Sequence, residues 1–202
     1  MTDVKYAIDR RTEILKAGRE VLAEKGLDAA RISEIVARAG VAQGTFYLYF
    51  PSKTSLVLAL VEEMARQNME AIQQAIAGAS SIFEMIDRGV RASFENMAQN
   101  SDIARVVRSR IGLTEIYSEC ERMFEPLHHF VADLLREGIA KGEVDPEVNP
   151  DISSRLVSGV VENASDYCYV YGFLEPNEEL VAELVRFVQR SLGVRRPATH
   201  SA

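Results

Sequence analysis

The sequence has few of the residues from which catalytic and metal sites are built, with three histidines and two cysteines among 202 residues. Cys120 and Cys168 show no CxxC spacing and no pairing with a histidine, so no nucleophile–base pair is indicated. His128 and His129 are adjacent, and neighbouring residues on a helix point about 100° apart, so they cannot hold one metal ion together. These absences argue against an enzyme or a metalloprotein, and we expect no cofactor.

The sequence also lacks a long apolar run, since none approaches the ~18 residues that a membrane span requires. Residues 1–11 carry charges but no apolar core of a secretory signal. Together with the scarcity of cysteine, this composition is typical of a reduced cytoplasmic protein.

Charge is distributed unevenly along the chain. The whole sequence has a net charge of −7, but residues 1–54 hold nine Lys/Arg and seven Asp/Glu, whereas residues 55–202 hold fourteen and twenty-three. The first segment is therefore the only part whose charge favours contact with a phosphate backbone.

Helical periodicity extends almost from end to end, and no convincing alternating stretch indicates a strand. We predict an all-α fold of about nine helices in two domains, residues 8–54 and 55–193, followed by a disordered tail at 194–202. The predicted helices cover roughly residues 9–25, 31–39, 43–50, 53–77, 82–99, 103–111, 116–141, 151–171 and 177–192. Asp9 is the predicted N-cap of the first of these helices, and Ser52 is the predicted N-cap of the fourth.

Two short helices joined at Gly40 have the layout of a helix-turn-helix. Within the second of them, Phe46 and Phe50 are spaced i, i+4 and are predicted to pack inward on one face. The other positions carry hydrogen-bonding groups and aromatics that suit base edges, thymine methyls and phosphates. Ordinary half-buried packing is the alternative for each tyrosine alone. Lys53 begins the next helix, at a position where the helix dipole disfavours a cation. A contact with a DNA phosphate would explain a lysine at this position, although a solvated lysine is also common there.

These residues resemble the DNA-binding head of the TetR family of bacterial transcriptional repressors. The resemblance covers about residues 10–60, and its most specific part is the run Gly44-Thr45-Phe46-Tyr47-Leu48-Tyr49-Phe50-Pro51-Ser52-Lys53. It implies a homodimer that binds a palindromic operator in double-stranded DNA and releases it when a small molecule enters the C-terminal domain. The DNA-binding residues that we expect are Arg31, Ser33, Gln43, Gly44, Thr45, Tyr47, Leu48, Tyr49 and Lys53.

Two positions depart from the family pattern. Ala30 stands where the family often has a Thr or Ser that caps the second helix, and Ala42 stands where a capping Ser is frequent. Each missing hydroxyl removes a cap worth ~1 kcal/mol and a possible phosphate bond. Asp28 or Ser33 could compensate locally.

The last two predicted helices are apolar over more than one stripe, which marks a partner surface unless both are central to a monomer core. Pairing them with a second copy would give a four-helix interface. The interface residues that we expect are Leu156, Val160, Ala164, Val181, Leu184 and Val188.

Methionine, aromatic and scattered polar residues in the middle helices could line an apolar effector cavity with a few polar anchors, although each is individually more typical of core or surface. The expected contacts are Met64, Asn68, Phe94, Met97, Arg105, Phe124, His128, Asn163 and Tyr167. Two alternatives stay open: a DNA-binding dimer that senses nothing, and, less favoured, an enzyme.

Overall fold

The computed structural model describes residues 2–109 and 114–194 of the chain, with side chains for residues 10–109 and 118–194. The described residues form nine α-helices and no strand. The helices are α1 (Thr2–Ala29), α2 (Ile32–Ala39), α3 (Gln43–Tyr49), α4 (Lys53–Ile76), α5 (Ile82–Gln99), α6 (Ser101–Arg108), α7 (Thr114–Ala140), α8 (Pro150–Tyr169) and α9 (Glu178–Ser191). The predicted fold class is confirmed.

Side-chain caps explain why several helices begin where they do. Ser52 precedes α4 as predicted, and its Oγ accepts from the N–H of Ser55 at 3.0 Å while the Ser55 Oγ accepts from the N–H of Ser52 at 2.9 Å. Asn149 caps α8 and Asn177 caps α9, each by accepting from the backbone N–H three residues later. These reciprocal and single caps satisfy N–H groups that a helix start leaves without partners.

Two helix boundaries differ from the sequence prediction. The first helix begins at Thr2, before the cap predicted at Asp9, and continues past a kink at Gly26 to Ala29. The sixth begins at Ser101 and ends at Arg108, whereas the prediction ran to residue 111, part of which lies outside the described residues.

The chain divides into two compact units. Unit 1 comprises residues 1–64 and 102–122, and unit 2 comprises residues 65–101 and 123–202. Helix α6 and the first residues of α7 thus belong with the first three helices, and α4 contributes its beginning to unit 1 and its end to unit 2. A domain boundary at residue 54 stays a prediction from sequence.

Each unit has its own buried apolar residues. In unit 1, Ile14, Leu22, Ile35, Phe46 and Leu56 are fully buried. The core of unit 2 is formed by α5, α7, α8 and α9 together with residues that follow α7 and α9. Its members are Ile82, Val90, Phe94, Leu135, Val144, Val161, Cys168, Leu184, Val185, Val188, Leu192 and Val194.

The predicted disordered tail begins within this core. Val194 is 8% exposed, and its N–H donates to the carbonyl of Gln189 at 2.9 Å. Val194 is therefore an ordered core residue, and the rest of the predicted tail, residues 195–202, lies outside the described residues. None of the described helices is both long and apolar enough to cross a membrane.

Candidate functional site

A tight turn joins α2 to α3. Gly40 follows α2 with φ 66° and ψ 33°, a left-handed conformation that favours glycine. Its N–H donates to the carbonyl of Ala37 at 3.4 Å, and the N–H of Val41 donates to the carbonyl of Val36 at 3.0 Å. These two bonds form the Schellman arrangement, which ends a helix and redirects the chain. The predicted helix-turn-helix is therefore present.

Two phenylalanines hold α3 in unit 1. Phe46 and Phe50 are 0% and 2% exposed, and their ring centroids lie 5.7 Å apart. The guanidinium of Arg11 lies 5.5 Å from the centroid of the Phe50 ring, which places α1 beside the end of α3. The predicted inward face of α3 is confirmed.

The remaining side chains of α3 form an outer face. Tyr47 is 49% exposed and Leu48 is 82% exposed. The exposed residues of this face are Gln43, Gly44, Tyr47 and Leu48. Thr45 and Tyr49 are half-buried. Because the buried phenylalanines fix the opposite face, amide, hydroxyl, phenol and methyl groups all point outward together, as contact with base edges and phosphates requires.

Lys53 has a contact that the sequence did not reveal. Its Nζ donates to the carbonyl of Ala30 at 2.7 Å and lies 3.5 Å from the carbonyl of Asp28. The side chain therefore joins the start of α4 to the connection between α1 and α2. An ammonium group has three hydrogens, so a phosphate contact is compatible with this structural one.

The start of α2 differs from the sequence expectation. Arg31, not Ala30, is the N-cap residue, and no side chain caps the helix there. Instead, the Glu34 carboxylate accepts from the N–H of Arg31 at 3.2 Å. Arg31 and Ser33 are both exposed at this end of α2, where side chains can reach a phosphate.

Ion pairs join α1 to α2. Arg38 pairs with both carboxylate oxygens of Glu24 at 2.7 and 2.9 Å, and Lys25 pairs with Glu34 at 2.6 Å. The hydrogen bond from Arg38 lowers the pKa of Glu24, and the hydrogen bond from Lys25 lowers the pKa of Glu34. Exposed pairs of this kind add little to the stability of the fold.

Gly18 is a packing residue that sequence reasoning missed. A Cβ at this position would lie 2.5 Å from Cδ2 of Leu56 on α4. The absence of a side chain thus allows α1 and α4 to approach closely behind the helix-turn-helix. An isolated glycine inside a helical pattern was the available signal.

A long-range ion pair connects α1 to α6 within unit 1. The Arg19 guanidinium donates from Nε and Nη2 to the two oxygens of Asp102, both at 2.7 Å. Burial raises the pKa of Asp102, but the hydrogen bonds and charge of Arg19 outweigh it and leave the pKa below its ordinary value. The pair is partly buried and bidentate, the geometry in which an ion pair positions two helices most firmly.

Ala42 is the N-cap of α3 and provides no side-chain cap, as the sequence predicted. We expect Ala42→Ser to add an N-cap bond and to raise stability by ~1 kcal/mol, or about 2–4 °C in Tm for a chain of this length. The matched control is Ala37→Ser, the same change at an exposed position inside α2. Thermal unfolding of both variants measures the effect, and equal Tm values would contradict the capping argument.

The predicted effector contacts differ in burial. Asn68, Phe94 and His128 are 1%, 4% and 6% exposed, whereas Arg105 and Asn163 are exposed. Arg105 and Asn163 point away from the interiors of their own units, which does not favour a role in an apolar cavity. Half-buried members of the predicted set are Met64, Met97 and Phe124, and Tyr167 is 40% exposed.

His128 belongs to a polar cluster between α7 and α8. Its Nδ1 lies 3.1 Å from Nη1 of Arg155, whose Nη2 contacts the Glu125 carboxylate at 2.5 and 2.7 Å. The hydrogen bond from Arg155 lowers the pKa of Glu125. Among the residues whose side chains are described, no group of histidine, cysteine and carboxylate side chains is arranged to hold a metal ion.

The outer faces of α8 and α9 differ from the predicted interface set. Leu184 and Val188 are 7% and 1% exposed and belong to the core of unit 2, so they are unavailable to a partner. Val160, Ala164 and Val181 are partly buried against that core. The exposed apolar side chains of α8 and α9 and of the segment between them are Ile152, Leu156, Tyr167, Tyr171, Phe173, Leu174 and Phe187.

Three of these exposed side chains form an aromatic cluster at the end of α8. The ring centroids of Tyr171 and Phe173 lie 5.7 Å apart in a stacked arrangement, and Tyr167 lies 6.0 Å from Phe173. The N–H of Phe173 donates to the carbonyl of Tyr167 at 2.7 Å, which fixes the loop against the helix. The outer face is therefore apolar and preformed.

Comparison with known families covers both parts of the chain. The model described as bacterial regulatory proteins, tetR family, matches residues 14–60. The model described as tetracyclin repressor-like, C-terminal domain, matches residues 84–192.

Two relatives from Bacillus subtilis match over most of their length. The chain is 32% identical to the HTH-type transcriptional regulator YvdT of Bacillus subtilis over 182 residues, which are 90% of this chain and 94% of that protein. It is 25% identical to the fatty acid metabolism regulator protein of Bacillus subtilis over 152 residues, 74% of this chain and 78% of that protein.

Solved structures share the fold. The fatty acid degradation regulator FadR from Bacillus halodurans has a TM-score of 0.79 at 23% identity, with 92% of this chain and 97% of that chain covered. FadR from Bacillus subtilis in complex with stearoyl-CoA has a TM-score of 0.73 at 24% identity, with 90% and 96% covered.

Proposed function

Because this chain belongs to the tetR family of bacterial regulatory proteins, we propose that it represses transcription as a homodimer bound to a palindromic operator and that a mainly apolar small molecule releases it. The chain acts by binding and not by catalysis. The observation that carries the proposal is the outer face of α3, whose polar and aromatic groups point outward while Phe46 and Phe50 are buried.

In this proposal α3 enters the major groove. Gln43 and Thr45 contact base edges, Leu48 contacts a thymine methyl or a sugar, and Tyr47 and Tyr49 contact phosphates or bases. Gly44 lets the backbone approach the DNA closely. The remaining contacts come from Lys53 and, at the start of α2, from Arg31 and Ser33, which bind phosphates and set the register.

A second copy is needed because one head of this size reads only a half-site. A twofold dimer presents two copies of α3 to half-sites about one helical turn of DNA apart, or a multiple of it. The exposed apolar residues of α8 and α9 supply a self-complementary surface, with Leu156 and Phe187 62% and 55% exposed.

The proposed effector is mainly apolar, and two findings support this class. The Bacillus subtilis relative is named as a regulator of fatty acid metabolism, and the FadR structure from that organism contains stearoyl-CoA. Long-chain acyl compounds are therefore the first probes. Helix α4 contributes residues to both units, so a shift of its second half would move Lys53. Coupling of 1–3 kcal/mol would weaken operator binding ~5–150-fold.

The test begins with selection of bound duplexes from random DNA, followed by binding titrations of the selected operator with and without stearoyl-CoA. We expect Gln43→Ala to relax the preference at particular base pairs by ~1–3 kcal/mol, whereas Tyr47→Phe should weaken binding to all sequences. Reciprocity requires the operator to weaken effector binding by the same factor. If the selection enriches no sequence, the proposed recognition of an operator is wrong. If the operator affinity is the same with and without stearoyl-CoA, the proposed release by stearoyl-CoA is wrong.

A further inference from the structure

Asn68 is a buried amide without a partner. Its side chain lies on α4, the residue is 1% exposed, and neither Oδ1 nor Nδ2 makes a hydrogen bond. Among the described side chains, these are the buried nitrogen and oxygen atoms left unsatisfied. Buried polar groups are almost always paired, because burying one without a partner is costly. An unpaired amide at this position is therefore costly in the unbound protein, and a bound molecule that paired with it would remove that cost.

Asn68 lies on α4 one turn before Ile72, a residue that packs against α5. Ile72 and Ile76 of α4 both lie beside Gly89 of α5. A Cβ added to Gly89 would be 3.6 Å from Cγ2 of Ile72 and 3.5 Å from Cγ2 of Ile76. Residues 77–81 join the two helices, so α4 and α5 are consecutive elements that meet at Gly89.

The stretch of α5 that follows Gly89 carries buried polar residues on one face. Ser93 and Asn96 follow Gly89 at i+4 and i+7 on the same face and are 7% and 8% exposed. Asn100 continues the face, and its Nδ2 donates to the carbonyl of Asn96 at 3.0 Å, so this amide already has a partner. Small and polar residues thus follow one another along one face of α5, and on α4 the amide of Asn68 keeps both its donor and its acceptor available.

We propose that Asn68 is the polar anchor of the effector site, where it binds an uncharged group that both donates and accepts a hydrogen bond, such as a carboxamide or a hydroxyl on an otherwise apolar molecule. This inference rests on the effector-controlled function proposed above. A carboxamide matches the amide of Asn68 with two hydrogen bonds. An ionised carboxylate is disfavoured because it would be buried without a counter-charge. The amides of the pantetheine arm of an acyl-CoA belong to the favoured class.

The first experiment needs no effector. Asn68→Leu removes both unsatisfied atoms, so we expect Tm to rise by about 2–4 °C. Gln73→Leu is the matched control at an exposed position of the same helix and should leave Tm nearly unchanged. A fall in Tm for Asn68→Leu alone would show that the amide is already satisfied, for example by a fixed water molecule, and would overturn the proposal.

The second experiment compares dodecanamide with methyl dodecanoate, two probes of equal chain length, in a binding titration. The ester accepts a hydrogen bond but donates none, so the amide should bind about tenfold more tightly or better. In Asn68→Leu that preference should disappear, and it should persist in Gln73→Leu. If the leucine variant does not fold, Asn68→Ala removes the amide without adding bulk and must give the same loss of preference.

Two results would overturn the inference: equal affinities of the two probes for the unsubstituted protein, or binding of neither. Operator binding without a probe is measured on the same samples. If the unsubstituted protein does not bind the operator, the proposed function itself is refuted. If it binds the operator but shows no preference for the amide probe, only the role of Asn68 is refuted.

Discussion

Lys53→Ala should weaken operator binding by about a hundredfold or more, because both half-sites of a dimer would lose a charge-assisted hydrogen bond worth about 1.5–3 kcal/mol. The same substitution should lower the stability of the head, since the carbonyl of Ala30 loses its bond from Nζ at 2.7 Å. The slope of log affinity against log salt should also fall by about one unit per half-site.

Lys16→Ala is the control for this substitution. Lys16 is exposed on α1, so its replacement removes the same charge from the same head without removing the contact to Ala30. Melting curves and salt-dependent DNA titrations separate the two roles of Lys53. If Lys53→Ala lowers the Tm but leaves the salt slope unchanged, Lys53 has only a structural role. If Lys53→Ala matches Lys16→Ala in both Tm and salt slope, Lys53 has neither role.

The double variant Leu156→Glu with Phe187→Glu should be a folded monomer without measurable operator binding. Both side chains are exposed in the protomer, so the substitutions cost its fold little. In the proposed dimer each substitution occurs once in each protomer, so four carboxylates would be buried at the interface. The cost to the free energy of association is several kcal/mol in total. Sedimentation, circular dichroism and DNA titration measure assembly, folding and binding on one sample.

Two further variants separate interface from core. Leu184 is 7% exposed within unit 2, so Leu184→Glu should unfold that unit and not release a folded monomer. Gln73→Glu adds a charge at an exposed position of α4 and should leave a dimer that binds its operator. A folded dimer for the double variant would place the interface elsewhere on the chain.

The sequence predicted the local features of the fold well. The helix-turn-helix, the cap at Ser52 and the burial of Phe46 and Phe50 all follow from spacing and from residues within one or two turns. Such features depend on propensity, capping and i, i+4 contacts, which a single sequence displays directly.

The choice of inward face was not available from the sequence. Helix α9 carries apolar residues on adjoining faces, and periodicity alone does not rank Leu184 against Phe187. The structure buries the first and exposes the second, which moves the proposed interface outward. On α8, likewise, Val160 is partly buried and Leu156 is exposed, a difference that periodicity did not reveal.

Long-range polar contacts were also beyond sequence reasoning. Arg19 and Asp102 are 83 residues apart, and nothing in their local patterns connects them. The bond from Lys53 to the carbonyl of Ala30 has a backbone acceptor, which no residue type indicates. Only the folded chain shows that Asn68 is buried without a partner, although composition had already marked it as a polar residue among apolar ones.

The central claim is that paired copies of α3 read a palindrome, and a hydroxyl-radical footprint on the selected operator tests it most directly. We expect two symmetric protected regions about one helical turn apart, or a multiple of it, with two chains bound per duplex. Protection should weaken on both sides at once in Gln43→Ala. A single protected region, or protection of equal strength on unrelated duplexes, would contradict the claim.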